Sequence, residues 1–164
     1  MDYGKKFEER FKLDWISTFP QSTITRLYDV TTGYKSMSTI CDFICYNYPY
    51  QFFIECKAHK GASLPFTVLT QYDKMIKEVG KPGVKVGVVL WLYEKDKVMY
   101  IPITTIQQLK SDGEKSVGLR HLNSKYDVIE IPTKKLIHFM KCDFSILMKN
   151  SEKIVKEEHN ETED

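Results

Sequence analysis

Asp42, Glu55 and Lys57 stand in the pattern D-x12-E-x-K within CDFICYNYPYQFFIECKAHKG, residues 41–61. Side chains alternate along a strand, so Glu55 and Lys57 share one face and Cys56 points to the other. The link NYPY is short enough for an antiparallel hairpin. A turn centred between residues 48 and 49 brings position 42 opposite position 55. Two adjacent carboxylates repel, and each is costly to bury. A hard divalent cation removes that conflict, because Mg²⁺ accepts oxygen ligands and keeps several waters. The backbone carbonyl of Cys56 offers a further oxygen. Such an ion polarises a phosphoryl oxygen and acidifies a bound water. Lys57 would orient that water or stabilise the pentacovalent charge. The chemistry these residue types suit is phosphodiester hydrolysis; the bland alternative is a solvated ion pair at a strand end.

The flanking sequence adds phosphate-binding groups. KAHKGASLPF places Lys60 and the flexible Gly61 beside the motif and opens a segment bearing Gln71 and Lys74. Lysines and backbone N–H groups at helix starts bind phosphate well. Lys35 and Arg26 are further candidates for nucleic-acid contact, and Arg26 is expected to pair with Asp29. Upstream, GKKFE puts an acid on the first helix, and the apolar neighbours Phe7 and Phe11 favour Glu8 over Glu9 as the one facing the site.

These residues need elements to hold them. Residues 3–17 read as an amphipathic helix with Phe7, Phe11 and Trp15 on one stripe, ended by Pro20. Thr23–Val30 reads as a short strand and TTGYKSMST as a loop. Thr39–Tyr46 and Gln51–Lys57 are the hairpin strands. A helix is expected from about Pro65 to Val79, stopped by Gly80, Pro82 and Gly83. Val84–Tyr93 is apolar enough to be a central strand, paired with Val98–Ile103 across EKDK. A short helix Thr105–Lys110, an edge strand Tyr126–Ile131 and a last element Leu136–Met140 follow. This order predicts an α/β fold with a mixed sheet flanked by helices. The aromatic cluster Tyr46, Tyr48, Tyr50, Phe52 and Phe53 reads as core plus dimer interface.

The chain of 164 residues is 42% hydrophobic and 28% charged, ordinary for one soluble globular domain. No apolar run reaches the ~20 residues of a membrane span. The start, MDYGKKFEERFK, lacks the apolar stretch of a secretory signal. The net charge of +2 divides into −4 on residues 150–164 and +6 on residues 1–149. A basic body suits a polyanionic partner, and the acidic tail, 150–164, is expected to be disordered. Residues 1–149 are expected to form the folded domain. Cys41, Cys45, Cys56 and Cys142 lack the spacing of a zinc site and read as buried free thiols, which fits a reducing cytoplasm.

GKKFE (4–8), RLYD (26–29), CDFI (41–44), FIECKAHKGASLPF (53–66), Gln71 and GVVLWL (87–92) together resemble the RecU-type Holliday junction resolvases. These belong to the PD-(D/E)xK nuclease superfamily, and the likeness is to its short, phage-encoded members. The resemblance implies a restriction-endonuclease-like mixed β-sheet and a Mg²⁺- or Mn²⁺-dependent homodimer that cuts four-way DNA junctions by paired nicks. It implies that Asp42 and Glu55 are metal ligands, Lys57 the catalytic lysine, Glu8 the supporting helix carboxylate and Gln71 the motif glutamine. RLYD and CDFI start only fifteen residues apart, leaving little room for the family's stalk insertion, and its threonine-aspartate pair is Cys41-Asp42 here. Duplex or flap cleavage, and branched-DNA binding without catalysis, are the alternative readings.

Overall fold

The hairpin is where local sequence dictates most. Phe43–Asn47 and Tyr50–His59 pair antiparallel around Tyr48–Pro49, with Phe43 opposite Ile54 and Cys45 opposite Phe52. The computed structural model describes residues 1–32 and 35–149, with backbone alone at 31, 32, 35 and 36. The Lys35 side chain, loop residues Gly33 and Tyr34, and the acidic tail lie outside the described residues.

Along the chain the elements are α1 (Tyr3–Thr18), β1 (Thr23–Arg26), β2 (Val30–Thr32), β3 (Lys35–Met37), β4 (Phe43–Asn47), β5 (Tyr50–His59) and β6 (Ser63–Pro65). Then come α2 (Tyr72–Ile76), β7 (Val84–Leu92), β8 (Lys97–Pro102), α3 (Ile103–Ser111), β9 (Ser116–Gly118), β10 (Ile129–Glu130), β11 (Thr133–Lys135) and β12 (Met140–Cys142). The main sheet has six strands in the order β1-β4-β5-β7-β8-β10. Only β5 and β7 pair in parallel; the other neighbours are antiparallel. The expected mixed sheet flanked by helices is present. Among the described residues no helix is long and apolar enough to cross a membrane.

Alternation sends the two strand faces into two cores. Phe52, Ile54 and Cys56 of β5 join Phe43 and Cys45 of β4 against Phe7, Phe11 and Trp15 of α1. These three helix residues recur every four positions, so they line one stripe. On the other face Phe53 joins Val86, Val88, Leu90 and Leu92 of β7 against Ile103, Ile106 and Leu109 of α3. With Val89 and Trp91 in the first core, β7 is buried on both faces. That explains the near-continuous apolar run GVVLWL.

Four readings of the sequence are corrected. The loop read over 31–39 and the end of the strand read over Thr23–Val30 instead hold the pair β2–β3, favoured by the β-branched run at 30–32. The long helix over 65–79 is replaced by a 3₁₀ turn, Phe66–Val68, and the five-residue α2. Ser63–Pro65 is instead drawn into β6 by pairing with β9, and Phe66 N–H donates to the Lys115 carbonyl at 3.0 Å. Thr67 and Val68, both β-branched, weaken the helical alternative. Leu136–Met140 is no separate element: residues 136–139 form the turn between β11 and β12, and Met140 opens β12 opposite Lys135. The strand expected from Thr39 begins only at Phe43, because the chain bends at Asp42.

Candidate active site

β4 starts one residue after Asp42, and Asp42 N–H donates to the Ile54 carbonyl at 3.1 Å. The last β4–β5 pair is Phe43 with Ile54, so Asp42 lies just past the end of the ladder, next to the stretch of β5 that carries Glu55. The side chain of Asp42 does not simply follow the alternation. Cys41 turns into the core on the Glu55 side of the sheet, while Asp42 Oδ2 accepts the Cys56 N–H at 2.8 Å. A residue's N–H and C=O leave an extended strand on the same edge. The Cys56 carbonyl therefore faces the open end of β4, beside Asp42.

Arg26 organises the other side of the site. It ends β1, paired with Phe43, so its guanidinium reaches the start of β4. Nη1 donates to Asp42 Oδ1 at 2.7 Å and Nη2 to Glu8 Oε2 at 2.6 Å. One planar fork thus spans a carboxylate from the sheet and one from α1. The expected partner, Asp29, is engaged elsewhere: its Oδ1 accepts the Thr39 N–H at 2.8 Å. The expected Arg26–Asp29 pair is therefore corrected: Arg26 holds Asp42 and Glu8 instead. The sequence signal was available in part: TITR alternates, and its last residue lies one register step from Asp42.

Glu55 is 2% exposed. Its Oε1 lies 2.9 Å from Lys57 Nζ, confirming that the two share a face. Its Oε2 is buried with no hydrogen-bond partner among the described residues. Burial, then the charge of Asp42, push the Glu55 carboxyl up to about 7, against a smaller opposing pull from Lys57. Glu8 is also raised, first by burial and then by Asp42. Asp42, Glu55, Glu8, Lys57 and Arg26 thus form one electrostatic cluster.

Among the described residues no three acidic, His or Cys side chains close into a ready-made cation cage. The donor chemistry nevertheless fits a hard divalent ion. Glu55 offers an unpartnered buried oxygen, Asp42 a fixed carboxylate, and Cys56 a backbone carbonyl; Mg²⁺ fills remaining positions with water. The four thiols are free and buried. Burial pushes those of Cys41 and Cys142 up to about 12, so thiolate ligation is disfavoured.

The remaining predicted residues are more scattered. Lys60 is exposed and lies 3.5 Å from Glu94 Oε1. Lys74 Nζ donates to the Ser38 carbonyl at 2.6 Å and to the Ser38 hydroxyl. Gln71 caps α2 without a side-chain capping bond, and its Oε1 accepts from Thr70 Oγ1 at 2.8 Å. None of these contacts ties Lys60, Lys74 or Gln71 to the carboxylate cluster.

No family model matches the chain, and no curated protein matches it. Among solved structures it is similar to Hjc, a Holliday junction resolvase from the archaeal hyperthermophile Archaeoglobus fulgidus. That likeness has a TM-score of 0.48 and 16% sequence identity, over 62% of this chain and 78% of the other. At this level the likeness bears on neither the site nor the activity.

Proposed function

We propose that this protein is a metal-dependent DNA endonuclease of the RecU type that resolves four-way junctions by paired nicks. The observation that carries the reading is the buried, unpartnered Oε2 of Glu55, set in a cluster with Asp42, Glu8 and Lys57. Leaving a buried polar atom unmade costs ~1–3 kcal/mol. A ligand that satisfies it gives that cost a purpose.

Asp42 and Glu55 would hold Mg²⁺ or Mn²⁺, with the Cys56 carbonyl and Glu8 supporting. When bound, the ion supplies Lewis-acid polarisation of a phosphoryl oxygen and a more acidic water. Glu55 gives up the proton that burial favours on its carboxyl. Lys57, whose Nζ lies 2.9 Å from Glu55 Oε1, would stabilise charge developing on the phosphate and orient the attacking water. Arg26 keeps the Asp42 and Glu8 carboxylates aimed by bonding one oxygen of each. Symmetric nicks in two strands call for two sites related by a two-fold axis, so the active species is a homodimer. A junction-cutting enzyme of this kind works in the cytoplasm, where the DNA is.

The test is a labelled four-way junction incubated with Mg²⁺, Mn²⁺ or EDTA, with matched duplex and flap controls. The wild type is expected to nick the junction in either metal, and Asp42→Asn to leave it intact. Equal cleavage by Asp42→Asn, or cleavage in EDTA, overturns the mechanism. Preference for duplex or flap overturns the substrate.

A further inference from the structure

A groove of about 390 Å³ runs along α1 on the outer side of the carboxylate cluster, lined by Lys5, Glu8, Glu9, Lys12, Arg26 and Tyr28 among others. Apart from Glu8, Arg26 and the core residue Phe43, its lining has no role above. Lys5, Glu8 and Lys12 are spaced i, i+3, i+7, which sets them on one stripe of the helix. The two lysines therefore lie ~4–6 Å of axial rise on either side of Glu8. Both are exposed, and among the described residues neither ammonium has an ion-pair partner.

Tyr28 closes the other wall. It is 73% exposed, so a face of its ring is open to a second planar group. The Arg26 guanidinium carbon lies 5.6 Å from the ring centroid. That same guanidinium bonds Glu8 and Asp42, so the ring stands one side chain away from the candidate reacting centre. Cations flanking a central carboxylate suit a phosphodiester backbone, and an exposed aromatic suits an unstacked base.

We infer that this groove takes the strand being cut, with the phosphates on either side of the scissile one on Lys5 and Lys12 and one unstacked base on Tyr28. The inference rests on the nuclease reading and names its substrate contacts. A base free to stack on Tyr28 has left its own duplex, which favours a branch point over intact helix. Glu9 opposes the strand by charge repulsion.

The experiment is fluorescence anisotropy in EDTA with a labelled four-way junction and a matched duplex, alongside thermal unfolding of every variant. Tyr28→Ala is expected to weaken junction binding roughly fivefold or more while barely changing duplex binding, and Tyr28→Phe to bind like the wild type. The double variant Lys5→Ala/Lys12→Ala is expected to lower the salt slope by about two phosphate contacts. Glu9→Gln is expected to tighten binding. If Tyr28→Ala loses fold stability, the lysine pair decides, since both side chains are exposed. Unchanged slope in the lysine variant, or unchanged junction binding by a folded Tyr28→Ala, overturns the groove while wild-type cleavage leaves the nuclease standing. Altered binding by these variants with no wild-type cleavage of any branched DNA supports the groove and overturns the nuclease. A wild type that binds no DNA overturns both.

Discussion

Asp14 and Glu55 are carboxylates buried to the same depth, 0% and 2% exposed, in two regions that treat them oppositely. Where α1 meets the β11–β12 hairpin, Asp14 has both oxygens occupied. Arg10 Nη2 bonds Oδ1, and the Cys142 N–H donates to Oδ2 at 2.8 Å. At the start of β4, Glu55 has one oxygen on Lys57 and the other on nothing, and it faces Asp42 and Glu8 as like charges. A satisfied buried charge ties two elements together. An unsatisfied one among like charges works against the fold, and that is the mark of a site arranged for something that binds there.

Exchanging each acid for its amide breaks the comparison most sharply. Glu55→Gln is expected to cut junction cleavage by roughly 10²–10³-fold or more, the scale of removing a main electrostatic contributor. Its melting temperature in EDTA at pH 8 should not fall. Asp14→Asn is expected to do the reverse. It strands Arg10 and costs about 3–5 kcal/mol of stability by urea unfolding, while activity per folded molecule persists. If Glu55→Gln unfolds the protein and Asp14→Asn silences it, the two regions have been assigned the wrong way round.

The pH dependence sharpens the same contrast. The Glu55 carboxyl sits at about 7 in the folded protein against 4.5 for the free group. The folded state therefore binds the proton more tightly, and the stability this brings is complete below about 4.5. It is lost as pH rises through about 7, by on the order of 2–3 kcal/mol. Urea midpoints in EDTA from pH 5 to 8 should fall more steeply for wild type than for Glu55→Gln. Adding Mg²⁺ at pH 8 should restore wild type and leave the variant where it is. Parallel curves would remove Glu55 as the source. The smallest effect is expected at Lys60→Ala. Its ion pair with Glu94 is exposed, and stability should move by less than ~0.5 kcal/mol in a urea melt.

Much of the site was legible because hairpin register is a local matter. The turn at Tyr48–Pro49 and the alternation of FICYN against YQFFI leave one pairing that buries both sets of apolar side chains, and it carries Asp42 to Glu55. The α1 stripe and the buried β7 were legible for the same reason, since each repeats a period set by its own backbone. Arg26 was not placed correctly. Its choice of Glu8 and Asp42 over Asp29 depends on how α1 lies across the sheet, and no spacing within RLYD encodes that. The segment after Lys60 was misread because β6 pairs with β9, some fifty residues later, and that pairing outweighs a weak helical preference.

The sequence by itself therefore determined the hairpin, its register, the shared face of Glu55 and Lys57, and the apolar stripes that bury α1 and β7. These follow from periodicity and short loops, which act over a few residues. Only the tertiary structure decided which cation holds Asp42, which oxygen of Glu55 goes without a partner, and that Tyr28 and the α1 lysines share a groove with Glu8 and Arg26. Those outcomes depend on close packing between distant elements, where the location of every charge is settled by what is left to pair with it.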